Sequence, residues 1–254
     1  MSAHYDSYDY PTYWEGRDYE HQSEVIAIKE LLAKIPKIKN ILEIGAGFGR
    51  LVPTYAYRGK KIILTDPSSK LLNVARNNPS LSKKRNIIYK QSTLQNITNK
   101  VAKKSIDLAI MVRVIHHLED PIEAFKIVNS LLKPRGYFIL EFANKSHAKA
   151  MLKEMAQGNL TFPLDIFPKD LSSKKSLKSH CLPFINYHPD KMEEMLRAEG
   201  FEIIERRSVS NIRSTWLKKL ISLKASLAVE KILQKPFACI NFGPSLFLLV
   251  RKKA

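Results

Sequence analysis

Short apolar runs alternate with stretches of helical spacing from residue 20 to residue 142. The runs at 40–44, 61–65, 86–90, 107–112 and 136–142 predict buried strands. Between them apolar positions recur every three or four residues, which predicts helices over 20–34, 50–57, 68–77 and 121–132. The punctuation agrees. Pro36 ends the first helix, and Pro53 falls within the first turn of the second, where proline is tolerated. Asp120, Pro121 and Glu123 supply an N-cap, a first-turn proline and a capping glutamate. This alternation predicts an α/β fold, a doubly wound, mostly parallel sheet with helices on both faces and right-handed crossovers. Ligands in such sheets bind beyond the carboxyl ends of the strands, and Gly45, Asp66, Thr93, Arg113 and Asn144 all fall at that edge.

The pattern breaks after residue 144. Residues 145–187 mix lysines and serines with Phe162-Pro163, Phe167-Pro168 and Pro183-Phe184, and read as an insertion that partly covers the pocket. A short helix at 190–199 closed by Gly200 and a sixth strand at 201–208 follow. Residues 214–234 predict a helix with Trp216, Leu220, Leu223 and Leu227 on one face and Lys218, Lys219, Lys224 and Lys231 beside it. Such a helix can pack on the sheet, cover a hydrophobic substrate or lie on a membrane surface. The last strand is 245–250. At the other end, Tyr5, Tyr8, Tyr10, Tyr13, Trp14 and Tyr19 make residues 5–20 too aromatic for a free tail, and predict that they fold back on the mouth of the site.

The organising motif is Glu43-Ile44-Gly45-Ala46-Gly47-Phe48-Gly49, where a strand must stop and turn sharply into a helix. Glycines there permit unusual backbone angles and leave no side chain above the turn, so a flat ligand can approach the backbone. The next strand ends in Asp66, a carboxylate placed to hold ribose hydroxyls. No Gly-Lys-Ser/Thr follows, which excludes a P-loop, and Arg50 stands where a dinucleotide fingerprint needs its third glycine.

These residues, with Leu64-Thr65-Asp66-Pro67-Ser68, the run from Ser105 to Pro121 and the run from Leu131 to Glu141, resemble the class I S-adenosylmethionine (SAM) dependent methyltransferases. The resemblance covers roughly residues 13–144 and is nearest the small-molecule, quinone-biosynthesis-like branch. It implies a Rossmann-like seven-stranded sheet with an antiparallel last strand and helical insertions. It also implies SAM as cofactor, with S-adenosylhomocysteine as product. The domain it implies is a single one over 1–254: a cap at 1–37, a core at about 38–144, the insertion, and C-terminal strands and helix at 188–254.

The expected cofactor residues are Glu43, Gly45, Ala46, Gly47, Gly49, Asp66, Pro67, Thr93, Leu94 and Arg113, with Arg17 as a candidate partner for the cofactor carboxylate. Family members usually carry an acid where Thr93 stands, so adenine recognition here falls to a hydroxyl or to backbone. His116 and His117, after the fourth strand, are candidate bases, since an unperturbed imidazole titrates near neutrality. Glu141, Asn144, Phe184, Tyr187 and Trp216 are expected around the acceptor. Methyl transfer from a sulfonium needs chiefly orientation at near-attack distance, so no catalytic triad is required.

Composition narrows the partners. The 254 residues are 44% hydrophobic, and no apolar run approaches the length of a bilayer span. The polar N-terminus does not read as a signal peptide, and two cysteines, Cys181 and Cys239, suggest a reducing, cytoplasmic setting without a disulfide framework. The histidines and cysteines show no zinc spacing, so no metal is expected. The net charge of +18 is unevenly spread, with six acids and one base in residues 1–24 but eleven bases and three acids in 201–254. Solvated surface lysines account for it. It also keeps nucleic acid and a peripheral membrane contact open as partners beside a small-molecule acceptor. The competing functions are accordingly an RNA or protein methyltransferase using the basic C-terminal part, and a SAM-binding scaffold without catalysis.

Overall fold

The computed structural model describes residues 10–170, 183–212, 214 and 220–254. Seven strands form one sheet: β1 (Asn40–Ile44), β2 (Lys61–Asp66), β3 (Ile87–Gln91), β4 (Ile106–Met111), β5 (Leu132–Ala143), β8 (Phe201–Val209) and β9 (Ser245–Lys252), in the order β3-β2-β1-β4-β5-β9-β8. All pairings among the first five are parallel, and β9 runs antiparallel between β5 and β8. The predicted class therefore holds, including the antiparallel last strand. Two short strands, β6 (Lys169–Asp170) and β7 (Ile185–Asn186), pair outside this sheet within the predicted insertion.

Strand alternation divides the core. In β1, Ile41 faces one layer while Leu42 and Ile44 face the other, and β4 sends Leu108 and Ile110 one way and Ala109 and Met111 the other. Side chains buried to this degree stabilise the fold by roughly 1.5–3 kcal/mol each, so both faces of the sheet need helices over them. One layer is closed by α1 (Asp18–Leu32), α2 (Val52–Tyr55), α3 (Ser69–Asn77) and α4 (Pro79–Ser82). The other is closed by α5 (Pro121–Leu131) and α7 (Pro189–Ala198), with α6 (Ala148–Ala156) at the start of the insertion. Caps follow the sequence signals: Ser68 accepts from Leu71 N–H, and Asp120 Oδ1 accepts from Ile122 and Glu123 N–H at 2.8 and 3.0 Å.

Three expectations need correction. The helix at 50–57 shortens to α2 and a 3-10 turn at Ala56–Arg58, because Gly49 keeps a left-handed backbone and the chain must turn around it. The last parallel strand begins at Leu132, earlier than the turn at Pro134-Arg135-Gly136 suggested, with a register shift opposite Ile106 and Leu108. The single helix at 214–234 is interrupted at Ile221 and Ser222, and α8 runs from Leu223 to Cys239, through Pro236. Its buried side is Ser226, Glu230, Gln234 and Ala238, whereas Leu220 and Leu223 are exposed, so the apolar stripe does not face the sheet. The reason is a polar socket for Glu230. Its carboxylate accepts from Tyr19 Oη at 2.5 Å, from Ser210 and Asn211 N–H at 2.9 and 3.1 Å, and from Asn211 Nδ2 and Gln234 Nε2 at 3.1 and 3.3 Å. Trp216 lies outside the described residues.

Candidate active site

The glycine loop is held to the second strand by backbone and side chain together. Gly45 and Ala46 N–H both donate to Thr65 O, at 2.8 and 3.0 Å, and Gly47 N–H donates to Asp66 Oδ2 at 2.8 Å. Asp66 Oδ1 accepts from Ser68 N–H, also at 2.8 Å. The two glycines at 45 and 47 have φ of +71° and +53°. A Cβ on Gly45 would stand 2.2 Å from Val114 Cγ2, so that residue is fixed by packing against the loop after β4. A Cβ on Gly47 would instead stand 3.9 Å from the Tyr10 ring and 4.0 Å from Leu71, both cavity walls, and would intrude on that space. Gly49 turns the other way, where a Cβ would meet Leu81 Cδ1 at 2.7 Å.

A cavity of about 240 Å³ opens at the carboxyl ends of β1, β2 and β4. Pro67, Leu71, Leu94, Val112, Val114 and Leu118 give it apolar walls. Its polar groups are Asp66, Ser92, Thr93, Gln95, Arg113 and His117, and Tyr10 closes one side. A smaller recess of about 30 Å³ adjoins it, sharing Tyr10, Gly45, Gly47 and Arg113 and adding Glu43, Ala46, Phe48 and Arg50. Of the six aromatics predicted to fold back on the site, Tyr10 lines both cavities and lies edge-on to Phe48 of the glycine loop, Tyr13, Trp14 and Tyr19 line neither, and Tyr5 and Tyr8 lie outside the described residues.

Behind Tyr10 lies a charge cluster that the sequence did not reveal. Glu24, 1% exposed, accepts from Arg50 Nη2 at 2.5 Å and from Arg113 Nε at 2.7 Å. Both guanidiniums also face the Trp14 ring, 3.5 and 4.7 Å from its centroid. Burial alone would raise the Glu24 carboxyl, but Arg113 and Arg50 hold it below its ordinary range. Arg113 sits at φ +58°, with its N–H donating to Glu141 Oε2 at 2.7 Å. Glu24 appeared in the sequence only as one acid of an acidic segment, and Arg50 only as a misfit to a dinucleotide motif.

Other expected site residues divide. Glu43 is buried at the recess and accepts from Tyr55 Oη, and burial pushes its carboxyl up to about 7. Arg17 is exposed and stacks 4.1 Å from the Tyr13 ring, away from both cavities, which moves the cationic candidates to Arg50 and Arg113. His117 lines the cavity, whereas His116 is buried beside it. Burial first, then His117 and Arg113, lower the His116 pKa well below its ordinary value. Phe184 packs on both histidines, at 4.5 and 6.0 Å between ring centroids. Glu141 and Asn144 line neither cavity. Glu141 accepts from Ser245 Oγ at 2.5 Å as well as from Arg113, and Asn144 Nδ2 donates to Asn241 and Gly243 carbonyls at 2.6 and 2.8 Å. Tyr187 is also drawn into the core, where burial pushes its phenol up to about 12. Of the other aromatics in the predicted insertion, Phe162 is buried and Phe167 is exposed, and neither lines the cavity. Among the described residues no group of three His, Cys, Asp or Glu could hold a metal ion.

Comparison with known proteins gives one consistent answer. The family model for a methyltransferase domain matches residues 13–206. A ubiquinone biosynthesis O-methyltransferase of Acinetobacter baylyi is 24% identical over 163 residues, covering 59% of this chain and 68% of its own length. The protein of the same description from Rhizobium johnstonii is 25% identical, covering 67% of this chain and 62% of its own length. Two solved SAM-dependent methyltransferases share the fold. The one from Mesorhizobium loti has a TM-score of 0.61 at 18% identity, over 91% of this chain and 98% of that one. The one from Archaeoglobus fulgidus has 0.58 at 15%, over 96% and 100%. The chain belongs to the methyltransferase domain family, on the fold of the class I SAM-dependent methyltransferases.

Proposed function

We propose that this methyltransferase carries the methyl group of SAM to a hydroxyl of a small, largely apolar acceptor, and that the cavity between Asp66 and His117 serves both molecules. The observation that carries the reading is the cavity's composition: a carboxylate at one side, an imidazole at another, and apolar walls between. The residues fit the cofactor. Gly47 leaves open the space that a Cβ would take, Asp66 brings a carboxylate to the cavity wall that suits ribose hydroxyls, and Pro67, Leu71 and Leu94 offer flat contact for a base. Thr93 and Gln95 are the polar side chains available to the adenine edge. Arg50 and Arg113 are the cations lining the recess, which suits the cofactor's carboxylate, while Glu43 suits its ammonium. Bound there, the sulfonium supplies a methyl group that is already activated.

The protein's own contribution is orientation and proton removal. His117 Nδ1 lies 2.8 Å from Pro183 O. A carbonyl only accepts, so Nδ1 carries the hydrogen and the lone pair sits on Nε2, the nitrogen suited to take a proton from a hydroxyl. The relatives named as O-methyltransferases support an oxygen acceptor. The same reading makes residues 1–254 one methyltransferase domain and fits a cytoplasmic setting.

The test is calorimetric titration with SAM and NAD, followed by transfer of labelled methyl from SAM to a panel of hydroxylated aromatic compounds. A single SAM site, no heat with NAD and label on a hydroxyl oxygen are expected. Binding of NAD without SAM would overturn the cofactor assignment, and label found only on nitrogen or carbon would overturn the acceptor.

A further inference from the structure

Helix α8 presents its apolar side outward. Val229 and Ile232, the latter 72% exposed, lie opposite the buried Ser226, Glu230 and Gln234. A second outward apolar surface begins beside it. No residue of α6 is buried, and Leu152 on that helix is 70% exposed. The chain after α6 packs back on it through the 3-10 turn Phe162–Leu164 and carries Leu164 and Phe167, 80% and 74% exposed. The two elements meet at their ends: Ala148 N–H, at the start of α6, donates at 3.0 Å to Phe242 O, in the turn just after α8, where Ile240 is also exposed.

Single exposed leucines are ordinary, but a run of large apolar side chains across adjoining elements is not. Charge selects the occupant. The two acids of this stretch are already neutralised, Glu154 by Lys169 at 2.9 Å and Asp165 by Lys145 at 2.6 Å. Among the described residues no acid lies within ion-pair distance of Lys149, Lys153 or Lys224, so the rim is positive. A second copy of a chain of net charge +18 would meet this face with like charge, whereas an anionic bilayer complements it. No helix among the described residues is long and apolar enough to cross a membrane, so the contact is a seat on the surface.

We propose that α8 and the segment 148–167 form a docking face for an anionic lipid surface, with the apolar side chains entering the headgroup region and the lysines meeting lipid phosphates. The inference stands apart from the acceptor's identity.

The experiment is co-sedimentation with vesicles of phosphatidylcholine alone or mixed with phosphatidylglycerol. The proteins are the wild-type chain and two double variants, Leu164→Asp with Phe167→Asp, and Val229→Asp with Ile232→Asp. All four positions are exposed, so melting temperature and SAM affinity without vesicles should stay unchanged. That control separates failure here from failure of the methyltransferase reading. Binding only to anionic vesicles, weakened about tenfold or more in each variant and reduced by salt, is expected. Absence of binding, equal binding to neutral vesicles, binding unaffected by both variants, or a dimer in solution that both variants abolish would each overturn it.

Discussion

Asp66 Oδ2 accepts the N–H of Gly47 at 2.8 Å, so the carboxylate at the tip of β2 fixes the glycine loop that follows β1. One side chain therefore both shapes the cavity and faces it. Asp66→Asn keeps the shape but turns an amide donor towards either Gly47 N–H or Ser68 N–H, and that one N–H loses its acceptor. SAM affinity should fall by ~1–3 kcal/mol, measured by calorimetry, with a smaller drop in melting temperature. Unchanged affinity would remove Asp66 from the cofactor site.

Glu43 gives a pH dependence with a defined sign. Burial pushes its folded-state pKa up to about 7, above an ordinary glutamate value near 4.5. Between those values the folded chain holds a proton that the unfolded chain has released, so stability falls as pH rises through that window. Glu43→Gln should flatten this slope and raise the melting temperature at pH 8, since Gln can still accept from Tyr55 Oη. If Glu43 meets the cofactor ammonium, SAM affinity in the wild type should also rise from pH 6 to pH 8, with proton release on binding. Both effects should vanish in the variant.

His117→Ala should lower turnover about a hundredfold or more while leaving SAM affinity within about twofold. His116→Phe, which replaces a buried neutral ring by another against Phe184, should retain turnover. The reverse ranking would assign the base to His116. Kinetics at saturating SAM decide between them.

Glu230 locks the N-terminal cap to α8 through Tyr19 and to the turn after β8 through Ser210 and Asn211. Glu230→Gln sets an amide donor against several donors that now share one oxygen. Stability should fall by ~1–3 kcal/mol in denaturant unfolding. SAM affinity per folded molecule should be unaffected, because Glu230 lines neither cavity. A selective loss of SAM binding would mean that the lock also positions the cap residue Tyr10.

Local spacing determined the sheet, the glycine turn and the place of Asp66. Strand alternation, proline and glycine positions and N-caps act between residues close in sequence, and the parallel order follows from few topological choices. The alternation placed Gly45 and Thr93 at one edge, the family resemblance added Gly47, Pro67 and Leu94, and all five line the cavity. Tertiary structure decided whatever depended on partners far along the chain. Glu24 became the hub of two arginines because α1 reaches the segments that follow β1 and β4, bringing together residues separated by 26 and 89 positions. Glu141 and Asn144 sit at the expected edge, yet their polar atoms are taken by Ser245 and by the carbonyls of Asn241 and Gly243, supplied by the antiparallel β9 and the turn before it. Helix α8 departs furthest from its sequence pattern. Periodicity gave it an apolar stripe, but a buried carboxylate must have its hydrogen bonds, and the socket for Glu230 turned the polar side inward. Periodicity marks which residues share a face; only the neighbours that fold against it decide which face is buried.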